Sequence, residues 1–204
     1  MERRRVGIFG GTFDPIHLGH LIIASEIRFA LGLECVLFVP AAQPPHKPER
    51  MVTADHHRLA MLELAIAGNP DFGISRVELE RSGPSYTVDT LEILNRQLAP
   101  AGLVLLMGAD SLRDLPTWRE PGRIAERAEL AVAQRPGVEV DLDAVFEAIP
   151  EARGRIHLAD IPLIGISSSA IRRRVQEGRP IRFHVPTAVE RYIVEHGLYR
   201  TQEA

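Results

Sequence analysis

The chain is expected to fold as α/β: a doubly wound Rossmann-like parallel sheet with a small C-terminal helical region. Three observations predict this. Short apolar runs alternate with longer stretches whose apolar residues recur at helical spacing. The run LVLLM, 103–107, is apolar throughout, as a central parallel strand covered on both faces must be. The connections between runs are short, which suits repeated βα units. One domain spanning 1–204 is expected, mostly helical over about 165–204.

In chain order, VGIF at 6–9 reads as the first strand and runs into Gly10 and Gly11. Leu18 to Leu31 reads as a helix that is apolar almost all round, hence heavily buried. CVLFVP, 35–40, is a second strand ended by Pro40. AAQPPHKPER, 41–50, is too rich in proline for a helix interior and reads as a loop carrying His46 and Lys47. Thr53 is placed to cap a helix whose apolar face holds Leu59, Leu62 and Ile66. ISRVELE, 74–80, reads as a strand, and RSGPS, 81–85, as a turn. Thr87 is placed to cap a helix with Val88, Leu91 and Leu98 on one face.

The central strand stops at Gly108-Ala109-Asp110, read as a loop at its carboxyl end. Short helices and Trp118 occupy 111–127, and a strand follows at 129–135. Leu142 to Ile149 is a helix, 155–160 a strand, and Ser167 to Val175 the start of another helix. Thr187 and Glu190 have the spacing of a capping box for the last helix, which Gly197 terminates.

Composition narrows the function. Hydrophobic residues make up 45% of the 204 residues, enough for a sizeable core, and the net charge is −3, so no broad attraction to nucleic acid or anionic membrane is expected. Cys35 is the only cysteine, so no intrachain disulfide can form, and its apolar neighbours suggest a buried small hydrophobe. The Arg-rich start reaches Gly10, Gly11 and Asp14 too soon for the apolar core of a signal peptide, and no run is long enough to span a membrane. The expectation is a cytoplasmic soluble protein that acts on small molecules; homo-oligomerisation is left open.

In open parallel sheets ligands bind beyond the carboxyl ends of the strands. Segments 10–20, 40–47, 108–110 and 165–172 should converge there. The glycines do not match the dinucleotide fingerprint G-x-G-x-x-G, and no G-x-x-x-x-G-K-[ST] phosphate loop is present. His17 and His20, three apart at a helix start, are neighbours on its surface and offer imidazole N–H donors beside the orphan N–H groups of the helix. That suits phosphoryl oxygens; helix capping is the plainer role, and H-x-x-H alone is weak evidence for a metal. Asp14 reads either as a base or as a turn former before Pro15. Ser167 or Ser168 can cap the later helix, and Arg172, four residues after Ser168, can reach back toward an anion at its start. Asp110 can accept bonds from ribose hydroxyls.

GGTFDPIHLGH, 10–20, resembles the T/HxGH signature of nucleotidyltransferases, and GISSSAIR, 165–172, resembles their late ISS-T/S-x-IR motif, with Ser169 where threonine is more usual. PPHK at 44–47, PSYTVDTL at 84–91 and GADSL at 108–112 with Trp118 extend the likeness to the bacterial nicotinate-nucleotide branch of that family. The resemblance implies adenylyl transfer from ATP to nicotinate mononucleotide, with His17, His20 and Arg172 as catalytic groups and Mg²⁺ held mainly by the ATP phosphates. It implies ATP contacts from Gly10, Gly11, Thr12, Phe13, Lys47, Gly108, Asp110, Ile166, Ser167 and Ser168. It implies contacts to nicotinate mononucleotide from Lys47, Tyr86, Thr87, Trp118 and Arg135, the ring stacking on Trp118. Other acceptors of the family, nicotinamide mononucleotide or phosphopantetheine, and a non-catalytic nucleotide binder are the alternatives.

Overall fold

A computed structural model describes residues 4–42, 52–134, 140–162 and 164–200. Its centre is a six-stranded sheet: β1 (Arg5–Gly11), β2 (Cys35–Pro40), β3 (Phe72–Ile74), β4 (Gly102–Gly108), β5 (Glu129–Gln134) and β6 (Ile156–Asp160). All neighbours are parallel and the order is β3-β2-β1-β4-β5-β6. The doubly wound expectation therefore holds. The order reverses between β1 and β4, and a crevice opens at such a reversal, beyond the carboxyl ends of the strands.

The period-two alternation of a strand sorts the core. Leu103, Leu105 and Met107 of β4 join one buried cluster, with Val88, Leu91 and Leu94 of α3 (Thr87–Leu98) and Ile124 of α5 (Pro121–Arg127). Val104 and Leu106 join the opposite cluster. That face is covered by α1 (Leu18–Leu31), α2 (Asp55–Ile66), α7 (Ser168–Gln176) and α8 (Thr187–Glu195). Ile171, Val189 and Ile193 carry α7 and α8 into it. The remaining helices are α4 (Ala109–Asp114) and α6 (Leu142–Ala148). No helix among the described residues is long and apolar enough to cross a membrane.

Helix α1 and strand β2 have the limits that periodicity predicts. α1 ends because Gly32 turns left-handed, φ 60°, and Leu33 N–H returns to the Arg28 carbonyl at 2.9 Å. Heavy burial of α1 is not observed. Only Gly19, Ala24 and Ile27 are buried, and Phe29 is 85% exposed, because the sheet covers one side of the helix alone. Cys35 is likewise half-buried rather than buried.

Other expectations are corrected. The segment 74–80 is not a strand. β3 stops at Ile74, Ser75 N–H donates to the Phe38 carbonyl, and Glu80 N–H closes a turn on the Arg76 carbonyl at 3.0 Å. Thr53 does not cap α2; Ala54 precedes that helix, and Thr53 N–H donates to Asp14 Oδ2 at 3.2 Å. Thr87 and Thr187 are each the first helical residue, after Tyr86 and Pro186, so neither hydroxyl caps and no capping box forms at 187–190. Gly108-Ala109-Asp110 is no loop, because α4 starts directly at Ala109. The expected ends of α7 and α8 hold: Ser167 is the side-chain cap of α7, and Gly197 lies left-handed just after α8.

Candidate active site

The carboxyl end of β1 opens into a turn, 12–17, that is held from several sides. Arg58, fully buried on α2, donates to the Thr12 carbonyl at 2.8 Å and to the Thr53 carbonyl at 2.9 Å, and pairs with Asp55. Arg172 on α7 donates to the Asp14 carbonyl at 2.6 Å, and Ser168 Oγ to the Pro15 carbonyl at 2.9 Å. The buried Asp14 carboxylate accepts from Tyr199 Oη–H at 2.6 Å and from Thr53 N–H. Such bracing sustains Phe13 at φ 49°, a conformation that costs a bulky residue on the order of 1–3 kcal/mol. Asp14 is thus a structural acceptor with both oxygens engaged, which favours the turn-former reading over the base.

His17 and His20 form a reciprocal cap at the start of α1. His17 Nδ1 accepts from His20 N–H at 3.4 Å, and His20 Nδ1 accepts from His17 N–H at 3.3 Å. The rings stack with centroids 3.6 Å apart. Because both Nδ1 atoms accept, each neutral ring carries its proton on Nε2. Burial lowers the His17 pKa to about 4, and burial together with the His17 ring holds His20 well below the usual imidazole range. Phe13 and Phe9 crowd His20 edge-on at 5.1 and 6.0 Å. The pair is therefore neutral at pH 7 and offers N–H donors. A Cβ on Gly19 would stand 3.0 Å from His17 Nδ1, so the position between the histidines must be glycine for the stack to form undisturbed.

The helix start does less than expected. Leu18 N–H already donates to the His184 carbonyl at 2.9 Å, and His20 N–H to His17. The serines of α7 are also engaged: Ser167 Oγ accepts from Ala170 N–H at 3.2 Å, and Ser168 donates to Pro15. Ile166 packs its side chain on the core.

Two concavities adjoin at Thr12, which lines both. The first, about 510 Å³, brings Phe13, Asp14, His20, Ser168, Ser169 and Arg172 together. The second, about 240 Å³, lies over the β1–β4 reversal, with Gly10, Gly11 and Gly108 in its wall and Thr87, Glu78 and Trp118 around it. A Cβ at Gly10 or Gly108 would meet nothing within 4 Å, so both positions keep the wall open to a ligand. All four segments expected at this edge contribute to these walls, the second of them through Ala41, with 43–47 outside the described residues.

Some predicted residues stand elsewhere. Asp110 is exposed and pairs with Arg113 at 3.2 Å beside a separate depression of about 220 Å³ that Val140 and Asp141 also line. Tyr86 lies under the Arg119 guanidinium, 4.6 Å from its ring centroid, and its carbonyl accepts from Thr90 N–H at 3.2 Å. Lys47 and Arg135 lie outside the described residues. Sequence reasoning missed Arg58, Tyr199, Ser85, Thr90 and Glu78. Glu78, 8% exposed, accepts from Thr90 Oγ1–H at 2.6 Å, and its burial raises its pKa. The acid inside the apolar VELE run was its only signal.

Comparison with known proteins bears on the family and the fold. Residues 8–174 match the cytidylyltransferase-like family. A Thermomicrobium roseum protein is 61% identical over 98% of this chain and 94% of its own length. One from Thermus thermophilus is 48% identical over 96% and 100%. Both are named "Probable nicotinate-nucleotide adenylyltransferase". The fold matches that of Plasmodium falciparum nicotinic acid mononucleotide adenylyltransferase complexed with NaAD, with a TM-score of 0.78 at 20% identity, covering 96% of this chain and 97% of the other.

Proposed function

The chain belongs to the cytidylyltransferase-like family and, within it, to the nicotinate-nucleotide adenylyltransferases, and we propose that it transfers the adenylyl group of ATP to nicotinate mononucleotide, giving nicotinate adenine dinucleotide and pyrophosphate in NAD biosynthesis. The observation that carries the site assignment is the docking of α7 on the 12–17 turn through Ser168 and Arg172. It sets the start of α7 and its guanidinium beside His20, next to the cavity of Trp118 and Thr87.

A 5′-phosphate oxygen of nicotinate mononucleotide attacks the α-phosphorus of ATP in line. The bond from that phosphorus to the bridging oxygen breaks, and pyrophosphate leaves with the electron pair. The nucleophile is already an anion, so no protein base is required. The chain supplies position and donors for the charge that grows on the phosphoryl oxygens. His17 and His20 serve through Nε2–H, and Arg172 and the first turn of α7 hold the departing phosphates. The Asp14 carbonyl already aims the Arg172 fork. Thr87 N–H, at the start of α3, receives the nicotinate carboxylate, and Trp118 faces the pyridine ring. Gly10, Gly11, Thr12, Phe13 and Gly108 wall the path between the substrates. Asp110, Lys47 and Arg135 are assigned to nucleotide contacts by resemblance.

Mg²⁺ would be held by the ATP phosphates and water. Asp14, the carboxylate lining the phosphate cleft, has both oxygens engaged by Tyr199 and Thr53. The donor set therefore suits a metal carried by phosphates and water, neutralising their charge, rather than one caged by the protein. Pyrophosphate release with ATP and each of nicotinate mononucleotide, nicotinamide mononucleotide and phosphopantetheine tests the reading. Turnover is expected to be fastest with nicotinate mononucleotide, and no turnover of it would overturn the assignment.

A further inference from the structure

Glu78 has no part in the phosphoryl chemistry, yet it is a buried acid in the wall of the cavity that Thr87 and Trp118 line. Its carboxylate joins three segments. Thr90 Oγ1–H donates to it at 2.6 Å. Thr90 N–H in turn holds the Tyr86 carbonyl, immediately before Thr87. Ser85 donates its hydroxyl hydrogen to the same carboxylate, and Ser85 Oγ accepts from Ala42 N–H at 3.2 Å, beyond the end of β2. The residues on either side of Tyr86–Thr87 are therefore tied to one buried group, while α3 itself has no side-chain cap.

We propose that Glu78 is the positioning residue through which this cavity prefers an acceptor with an anionic ring substituent: by holding Ser85 and Thr90 it aims the backbone N–H groups at the start of α3. The proposal rests on the reading of this cavity as the acceptor site. Its charge by itself works the other way, because a buried carboxylate disfavours a second carboxylate nearby. The two effects can be separated. Glu78→Gln keeps the shape but removes the charge that accepts from two hydroxyls. Thr90→Val removes one hydroxyl and leaves the charge. Positioning predicts that both variants weaken the acid; a purely electrostatic role predicts that Glu78→Gln strengthens it and Thr90→Val leaves it alone.

Trp118 is the only tryptophan in the chain and lines the cavity, so its fluorescence reads occupancy without turnover. The full chain and both variants are titrated with nicotinate mononucleotide and with nicotinamide mononucleotide, and thermal melts check folding, so that either variant suffices if the other is unstable. Nicotinate mononucleotide is expected to bind each variant about 10-fold more weakly, the size of one charge-assisted hydrogen bond. Nicotinamide mononucleotide should shift by less than about 2-fold, so the acid-to-amide ratio falls. Tighter acid binding by Glu78→Gln, equal weakening of both ligands, or no change would overturn the proposal. If neither ligand alters Trp118 emission in the unmodified protein, the acceptor-site reading itself falls and the proposal with it.

Discussion

The starts of α1 and α3 face the same edge of the sheet, yet they are finished in opposite ways. α1 is closed on itself: His17 and His20 cap each other, and Leu18 N–H is taken by the His184 carbonyl. Of its two neutral imidazoles, His20 lines the larger of the two adjoining cavities, while His17 is buried behind it and lines neither. α3 has no side-chain cap, and its first residue, Thr87, lines the cavity proposed for the acceptor. What it is proposed to turn toward a ligand is backbone. Backbone N–H groups in a rigid helix suit a carboxylate whose charge is fixed before and after reaction. Imidazole donors, aimed by a second bond at Nδ1, suit charge that appears only as the phosphorus changes partners. The difference teaches that a helix start is one device with two uses, and that capping decides between them.

Removing one imidazole should produce the largest effect. His20→Ala is expected to lower kcat by about 10²–10³-fold, the usual cost of losing one donor to a developing oxyanion, with KM for ATP changed by less than about 3-fold. Steady-state kinetics under saturating nicotinate mononucleotide checks it. An equal loss in kcat and in ATP affinity would mean that α1 binds the ground state, as α3 is proposed to do, and the contrast would vanish.

The same cap makes α1 sensitive to acid. His17 has a folded pKa of about 4 against an ordinary value of 6.5. Between those values the unfolded chain binds more protons, so stability rises with pH across the window: it is complete above about 6.5 and lost as pH falls toward 4. The effect is on the order of 3 kcal/mol, with His20 acting in the same direction. His17→Asn keeps a good capping oxygen without a titrating group. Denaturant unfolding of the two proteins between pH 4 and 7 should therefore show a shallower dependence for the variant. Parallel curves would show that His17 is not buried neutral in the fold.

Much of this was legible in the sequence because it is local. The limits of α1 and β2, the apolar β4 and the Ser167 cap follow from periodicity and from neighbours a few residues apart. The glycine–histidine turn and the serine–arginine segment were both recognisable, and the structure docks one on the other. What escaped depends on distant partners. Arg58 looks like any surface arginine of an amphipathic helix until the Thr12 carbonyl, 46 residues earlier, is placed beside it. Tyr199 reads as a chain-end residue until its hydroxyl reaches Asp14. The VELE run has strand composition, but Glu78 turns inward to Thr90, and the chain there coils instead. Misplaced caps at Thr87 and Thr187 are errors of one residue, yet at Thr87 that residue decides whether the hydroxyl or the backbone N–H matters.

That single step in register supplies the sharpest test of α3. As the first helical residue, Thr87 occupies the one position in a helix where proline fits without breaking it, and Tyr86 before it is already extended, at φ −88° and ψ 132°. Thr87→Pro therefore deletes one N–H donor while leaving the helix in place. Loss of a hydrogen bond to a charged group corresponds to about 10–100-fold. The KM for nicotinate mononucleotide should rise by that factor, with KM for ATP unchanged and the melting temperature close to that of the parent. The amide acceptor, with no carboxylate to hold, should lose less. If acid and amide suffer alike while the helix survives, the Thr87 backbone is not what reads the ring substituent. In that case α1 and α3 would both act through side chains, and the division of labour between them would have to be located elsewhere along the edge of the sheet.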